Sequence, residues 1–259
     1  MRKNIYTLIS LIAVLAIAAC SKSGNQEKII AVEKEFSFQP WELLSESGST
    51  LSLISNTIEP QKCGGTKVKI EVKIDPRGVI VNVNGLTYPS LCDNISLKAT
   101  DTSRIEGLKK GSYSFKINLK NAIVNDGSLT IEDNKYTLSM NKLDGIEVPI
   151  SEIMRVPKGL IWGYVSYELP QEANYTKFID KLKKIASPQN DIPKGDYGYF
   201  TMGDQSKFNV KVKIDQPKNK TEHLVYYLNS NSSNLKDLVE EFRNAAFEVK
   251  FYTSDGKAF

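Results

Sequence analysis

An α+β fold is predicted for this 259-residue chain, with an N-terminal antiparallel β-sandwich or barrel followed by a ferredoxin-like α+β domain. Two observations predict it. Residues 29–155 alternate apolar and polar side chains in twos and contain no convincing amphipathic helix, the pattern of strands that bury one face. Residues 156–259 add two stretches whose apolar side chains fall at helical spacing between further strands. The rhythm changes at Arg155-Val156-Pro157-Lys158-Gly159, where proline and glycine suit a connection between domains.

In the first half, Val68, Ile70, Val72 and Ile74 alternate with Lys67, Lys69, Glu71 and Lys73, giving one apolar and one charged face. Asp75-Pro76-Arg77-Gly78 fits a tight turn, and Val79 to Val83 returns as the second strand of a hairpin. Tyr113, Phe115, Ile117 and Leu119 form the apolar row of another strand. Asn125-Asp126-Gly127 reads as a hairpin turn. Leu129 to Ile131 and Tyr136 to Met140 alternate around Asp133-Asn134, and Asp144-Gly145 precedes Ile146 to Ile150. Roughly seven to nine short strands at this spacing suggest a sandwich or barrel.

In the second half, Leu160 to Leu169 reads as a strand. Tyr175, Phe178, Ile179, Leu182, Ile185 and Ala186 then make one face of a helix that Asn174 can cap and Pro188 ends. Tyr197 to Met202, Phe208 to Ile214 and His223 to Leu228 read as strands. Leu235, Leu238, Val239, Phe242, Ala245 and Ala246 repeat the helical spacing, with Ser233 or Asn234 as cap, before a last strand from Phe247 to Thr253. Strand–helix–strand thus occurs twice, which suggests βαβ units of the ferredoxin-like kind.

The N-terminus carries a different signal. Met1-Arg2-Lys3-Asn4 is basic, Ile5 to Ala16 is mostly apolar, and Ile17-Ala18-Ala19 leads into Cys20. Small residues directly before a cysteine, behind a basic and then an apolar region, resemble the lipobox of bacterial lipoproteins. The resemblance covers the first twenty residues. It implies a signal peptide over 1–19, cleavage before Cys20, acylation of Cys20, and a tether over 20–28. The all-β domain would then be 29–155 and the α+β domain 156–259. Several acyl chains on one cysteine would hold the protein to a membrane lastingly. In enteric-type bacteria an aspartate after the cysteine retains a lipoprotein at the inner membrane. Ser21 therefore implies the outer membrane, facing the periplasm.

Export settles the reading of the remaining cysteines. Of three, Cys20 takes the lipid, and Cys63 and Cys92 form an even pair in an oxidising compartment, where a disulfide is expected. Removing the first 19 of 259 residues leaves 240, and loss of Arg2 and Lys3 lowers the formal charge from +4 to +2. That small excess, in that compartment, argues against a nucleic-acid partner.

Little catalytic chemistry is legible. His223 is the only histidine, and its place at a strand start suits a structural residue better than a triad base. Two cysteines and one histidine do not make four zinc ligands. Glu132-Asp133 and Glu240-Glu241 read as solvated surface rather than as a glycosidase pair. Cys63-Gly64-Gly65-Thr66 lacks the spacing of a phosphate loop and reads as a turn beside the disulfide. Lys177, Lys181 and Lys184 line the outer side of the first helix as a solvated face. Aromatic residues are more suggestive: Trp162, Tyr164, Tyr197 and Tyr199 are a candidate binding face if they stand exposed on one sheet surface. The expectation is therefore a non-enzymatic envelope lipoprotein, without cofactor, that binds a protein partner as an assembly factor or inhibitor. The rival is a periplasmic hydrolase acting on glycan or peptide.

Overall fold

The structure is a computed structural model. It describes residues 33–259, apart from positions 94, 190, 205, 206, 213, 215, 216 and 230. The expected signal peptide, Cys20 and the tether lie outside the described residues. Glu33–Phe259 form one compact unit.

Ten strands occupy the N-terminal region: β1 (Phe36–Ser45), β2 (Gly48–Thr57), β3 (Lys67–Asp75), β4 (Gly78–Thr87), β5 (Thr100–Arg104), β6 (Gly111–Leu119), β7 (Ile123–Ile131), β8 (Lys135–Met140), β9 (Ile146–Glu147) and β10 (Glu152–Met154). They build a four-stranded sheet, β5-β2-β1-β9, and a six-stranded sheet, β10-β8-β7-β6-β4-β3. The inward rows of both sheets meet in one core. Phe36, Phe38, Leu51 and Leu53 come from one side, and Val79, Val81, Phe115 and Ile117 from the other. The β3–β4 hairpin closes as expected, because Asp75 Oδ1 accepts from the backbone N–H of Arg77 at 2.7 Å and of Gly78 at 3.2 Å.

Strand directions define opposite ends of this region. Phe36, Thr87, Leu119 and Ile123 mark one; Ser45, Asp75, Gly111 and Ile131 mark the other. The ten residues of β1 separate the ends by about 30 Å at the usual strand rise.

The C-terminal region starts at the far end. Strands β11 (Leu160–Tyr167), β12 (Ala186–Pro188), β16 (Lys220–Leu228) and β17 (Phe247–Thr253) form an antiparallel sheet in the order β12-β16-β11-β17. Helix α1 (Glu172–Ile185) follows β11, and α2 (Ser232–Phe242) follows β16. Phe178 and Leu182 of α1 and Leu235, Leu238 and Val239 of α2 pack with Ile161, Val165 and Phe251 on one sheet face. A separate sheet of β13 (Gly195–Asp196), β14 (Phe200–Met202) and β15 (Phe208–Val210) packs on the other.

These observations correct the expected fold class. The protein is mostly β, at 51% strand and 13% helix, with several sheets including a half-barrel, and it has no ferredoxin-like α+β domain. Three physical differences account for this. Between β12 and β16 the chain does not return directly as a hairpin; its strands β13, β14 and β15 build a sheet of their own. That sheet covers the face opposite the helices, so all eight residues of β11 are buried. The edge strand β12 is three residues long. The N-terminal region is not purely antiparallel either, since β4 runs parallel to β6 and β9 parallel to β1.

Local expectations also shift. Asn125-Asp126-Gly127 lies inside β7, and the hairpin turn falls instead at Lys120 and Asn121, with φ of 48° and 57°. The Asn125 side chain donates to the Asp144 carbonyl at 3.0 Å and accepts from its N–H at 2.8 Å, so it ties a loop to a strand. Helix α2 is capped by Asn231, which accepts from Ser233 N–H, rather than by Ser233 or Asn234. Helix α1 starts two residues before Asn174 and has no side-chain cap.

Gly163 sits at the middle of β11, where a Cβ would lie 2.0 Å from the Lys250 carbonyl oxygen. Gly163→Ala should lower unfolding free energy by about 3 kcal/mol, since neither flanking strand can retreat. Urea denaturation checks this, and an unchanged midpoint would contradict the packing of β11.

Candidate interaction surfaces

The N- and C-terminal regions are joined around a buried carboxylate. Glu42, on β1, is 1% exposed. Its Oε2 accepts from Val156 N–H at 2.6 Å, and its Oε1 accepts from the Tyr136 hydroxyl at 3.4 Å and lies 3.5 Å from Arg155 Nε. Arg155 stacks over the Tyr136 ring at 5.1 Å and donates to the Glu132 carbonyl at 3.2 Å. The Tyr136 hydroxyl is pushed up to about 12, first by burial and then by the Glu42 charge.

Beside this junction opens a groove of about 610 Å³. Ser47 and Ser49 come from the β1–β2 hairpin, Asn134 from the β7–β8 turn, Arg155 and Lys158 from the chain leaving β10, and Asp255 from beyond β17. Lys257 fastens its rim by reaching Glu46 at 2.9 Å and Asp255 at 3.1 Å. The walls therefore offer hydroxyl, amide and charged groups of both signs.

The aromatic residues that the sequence nominates do cluster, but inward. Trp162, Tyr164 and Tyr197 are buried, and Tyr199 is partly buried. Trp162 lies 5.6 Å from the Tyr199 ring and 5.3 Å from that of Phe200. Tyr199 meets Trp41 of β1 at 4.8 Å and donates to the Glu42 carbonyl at 2.7 Å. As a binding face these residues are therefore already occupied, by this same chain. Tyr164 donates to Glu248 at 2.6 Å and Tyr197 to the Pro193 carbonyl at 2.8 Å, which satisfies their hydroxyls.

The expected Cys63–Cys92 disulfide is present, with Cα atoms 5.0 Å apart. It pins the segment after β4 to the turn before β3. Leu97 and Gln61 exchange backbone hydrogen bonds of 2.7 and 3.1 Å beside it. Asp93 accepts from Gly64 N–H at 2.9 Å and from Ile95 N–H at 3.1 Å, and these bonds lower its pKa. A Cβ at Gly64 would meet Asp93 Oδ2 at 3.0 Å, so the glycine permits that close approach. This segment exposes Tyr88, Leu91, Ile95 and Leu97, which no periodicity singles out. Glu42 is equally inconspicuous in the sequence; its only signal is an acid in the inward row after Phe36 and Phe38.

The nominated carboxylates have structural partners. Glu132 pairs with Lys135, Asp133 with Lys110, Glu240 with Lys236, and Glu241 with Lys181. Lys177 and Lys184 are exposed. His223 Nδ1 accepts from Val210 N–H at 3.3 Å, and partial burial lowers its pKa. Among the described residues no group of three or more His, Cys, Asp or Glu side chains is placed to hold a metal. Comparison of the chain with protein-family models, curated proteins and solved structures finds no match.

These contacts predict two outcomes. Glu42→Ala strands Val156 N–H and the Arg155 charge and should destabilise by about 3 kcal/mol in urea, against less than about 0.5 for an exposed control such as Glu59→Ala. A His223→Gln variant should flatten the pH dependence of stability on the acid side. The folded pKa of His223 lies below the unfolded 6.5, so its contribution is full above 6.5 and is lost as pH falls through the folded pKa. Equal slopes for both proteins between about pH 7.5 and 5 would remove His223 as a source of that dependence.

Proposed function

We propose that this protein is an envelope lipoprotein, held by lipid on Cys20 at the outer membrane and facing the periplasm. It binds a protein partner without catalysing a reaction on it, as an assembly factor or inhibitor. The groove beside Glu42 is the observation that carries the binding role. Its volume of about 610 Å³ is in the range of ligand-binding clefts, and its walls come from four separated segments. Hydroxyl and amide groups at Ser47, Ser49 and Asn134 suit the main chain of an extended peptide, while Arg155, Lys158 and Asp255 can select its charges. The basic start, apolar run and Cys20 support the anchor.

The anchor and the groove are tested separately. Cys20→Ala should abolish lipid labelling, and unchanged labelling would refute the anchor. Ser47→Tyr combined with Lys158→Glu should fill the groove and reverse a charge while leaving the melting temperature within about 2 °C, because both side chains are exposed. Crosslinked capture from cells should then recover about tenfold less of the partner found with the unaltered protein. Equal recovery would rule out the groove as the contact.

A further inference from the structure

We propose that the cystine-pinned residues Tyr88, Leu91, Ile95 and Leu97 form a second membrane contact, dipping into the leaflet that holds the Cys20 lipid. The inference rests on the lipoprotein reading and adds an orientation to it.

Exposure is the first argument. Tyr88, Leu91, Ile95 and Leu97 are 59%, 86%, 54% and 53% exposed. They make up half of the eight large hydrophobic side chains exposed among the described residues, within one stretch of ten positions. Val124 and Leu143 are exposed at the same end of the N-terminal region, because Asn125 holds Asp144 and Glu35 N–H donates to the Gly145 carbonyl at 2.9 Å. Only Ile74, at the opposite end, and Leu169, after β11, lie elsewhere. Apolar side chains gathered at one end of a monomer mark a contact surface.

The attachment point selects lipid as the occupant. Glu33, Lys34, Glu35 and Phe36 line one depression of about 370 Å³ together with Gln61 and Tyr88. The chain towards Cys20 therefore leaves the folded unit beside this segment. Twelve residues lie between Cys20 and Glu33, and the thirteen steps reach at most about 45 Å. Because the chain leaves the folded unit here, an acylated Cys20 brings this end to the bilayer with the least extension of the tether. This end carries both signs: Glu33 and Glu59 line the depression, Glu35 pairs with Lys120 at 2.8 Å, and two lysines stand apart. Lys62 and Lys98 flank Gln61 and Leu97, are exposed, and make no ion pair with another described residue. Such lysines suit anionic headgroups while their neighbours enter the acyl boundary. The disulfide and the Asp93 bonds hold the segment in place, which limits the ordering that insertion requires.

A photo-crosslinking amino acid in place of Leu91, in the otherwise unaltered full chain in cells, tests this. Leu169, 55% exposed in the C-terminal region, is the control position. Lipid adducts, read by mass on the crosslinked peptide, should exceed those at position 169 by about tenfold or more. Mass analysis of the Cys20 peptide in the same samples separates the two readings. An unacylated Cys20 refutes the anchor and, with it, this orientation. An acylated Cys20 with equal lipid adducts at both positions overturns the second contact alone. A protein adduct in place of lipid at position 91 also overturns it and makes this end a protein interface.

Discussion

The carboxylate of Glu42 is the constraint on which the arrangement of the N- and C-terminal regions depends. A buried charge is tolerated only when its lone pairs are taken, and here they are taken by groups from distant positions. Tyr136 comes from β8, and Val156 and Arg155 from the chain just after β10. Satisfying one acid therefore fixes three things: the end of β1, the direction in which the chain leaves the N-terminal region, and the position of Arg155 at the groove wall. The Glu42 main chain adds a fourth, since its carbonyl accepts from Tyr199 and brings the β13–β15 sheet against Trp41.

From that junction the molecule acquires a polarity. One end carries the start of β1, the cystine and a set of exposed apolar side chains. The other carries the polar groove and the C-terminal region. The parallel pairing of β4 with β6 produces this division. A strand that ends at one pole must be followed by a return before its parallel neighbour can begin at the other. The return carries both the cystine segment and β5, so the segment is placed at the pole by topology as well as by its crosslink.

How much of this is legible in the sequence depends on whether the deciding contacts are local. The alternation in Lys67–Ile74 and Tyr113–Leu119, the Asp75 turn and the helical faces of Phe178–Leu182 and Leu235–Val239 are all local patterns, and each is where the periodicity places it. Asn125-Asp126-Gly127 carries the same local signal as a turn, yet it is a strand. Asn125 bonds across to Asp144, and a Cβ at Gly127 would lie 2.2 Å from the Ser139 carbonyl oxygen. Those requirements come from a loop and a neighbouring strand, which spacing does not reveal. The ferredoxin-like expectation fails for the same reason: the helices are visible, but the sheet that buries the opposite face of β11 is not. Composition finds the aromatic cluster, whereas its orientation towards Trp41 is a tertiary fact. Glu42 and the apolar segment escape because one acid in a strand and four apolar residues in a loop have no period.

The 29-residue separation closed by Cys63–Cys92 also has a consequence in time. By loop-closure entropy such a crosslink is worth about 3–4 kcal/mol, a large share of the stability of an ordinary domain. An exported chain would lack that share in a reducing cytosol and gain it only after crossing into an oxidising compartment. The bond would then act as a one-way latch, leaving the chain easier to keep unfolded during translocation and harder to unfold once delivered.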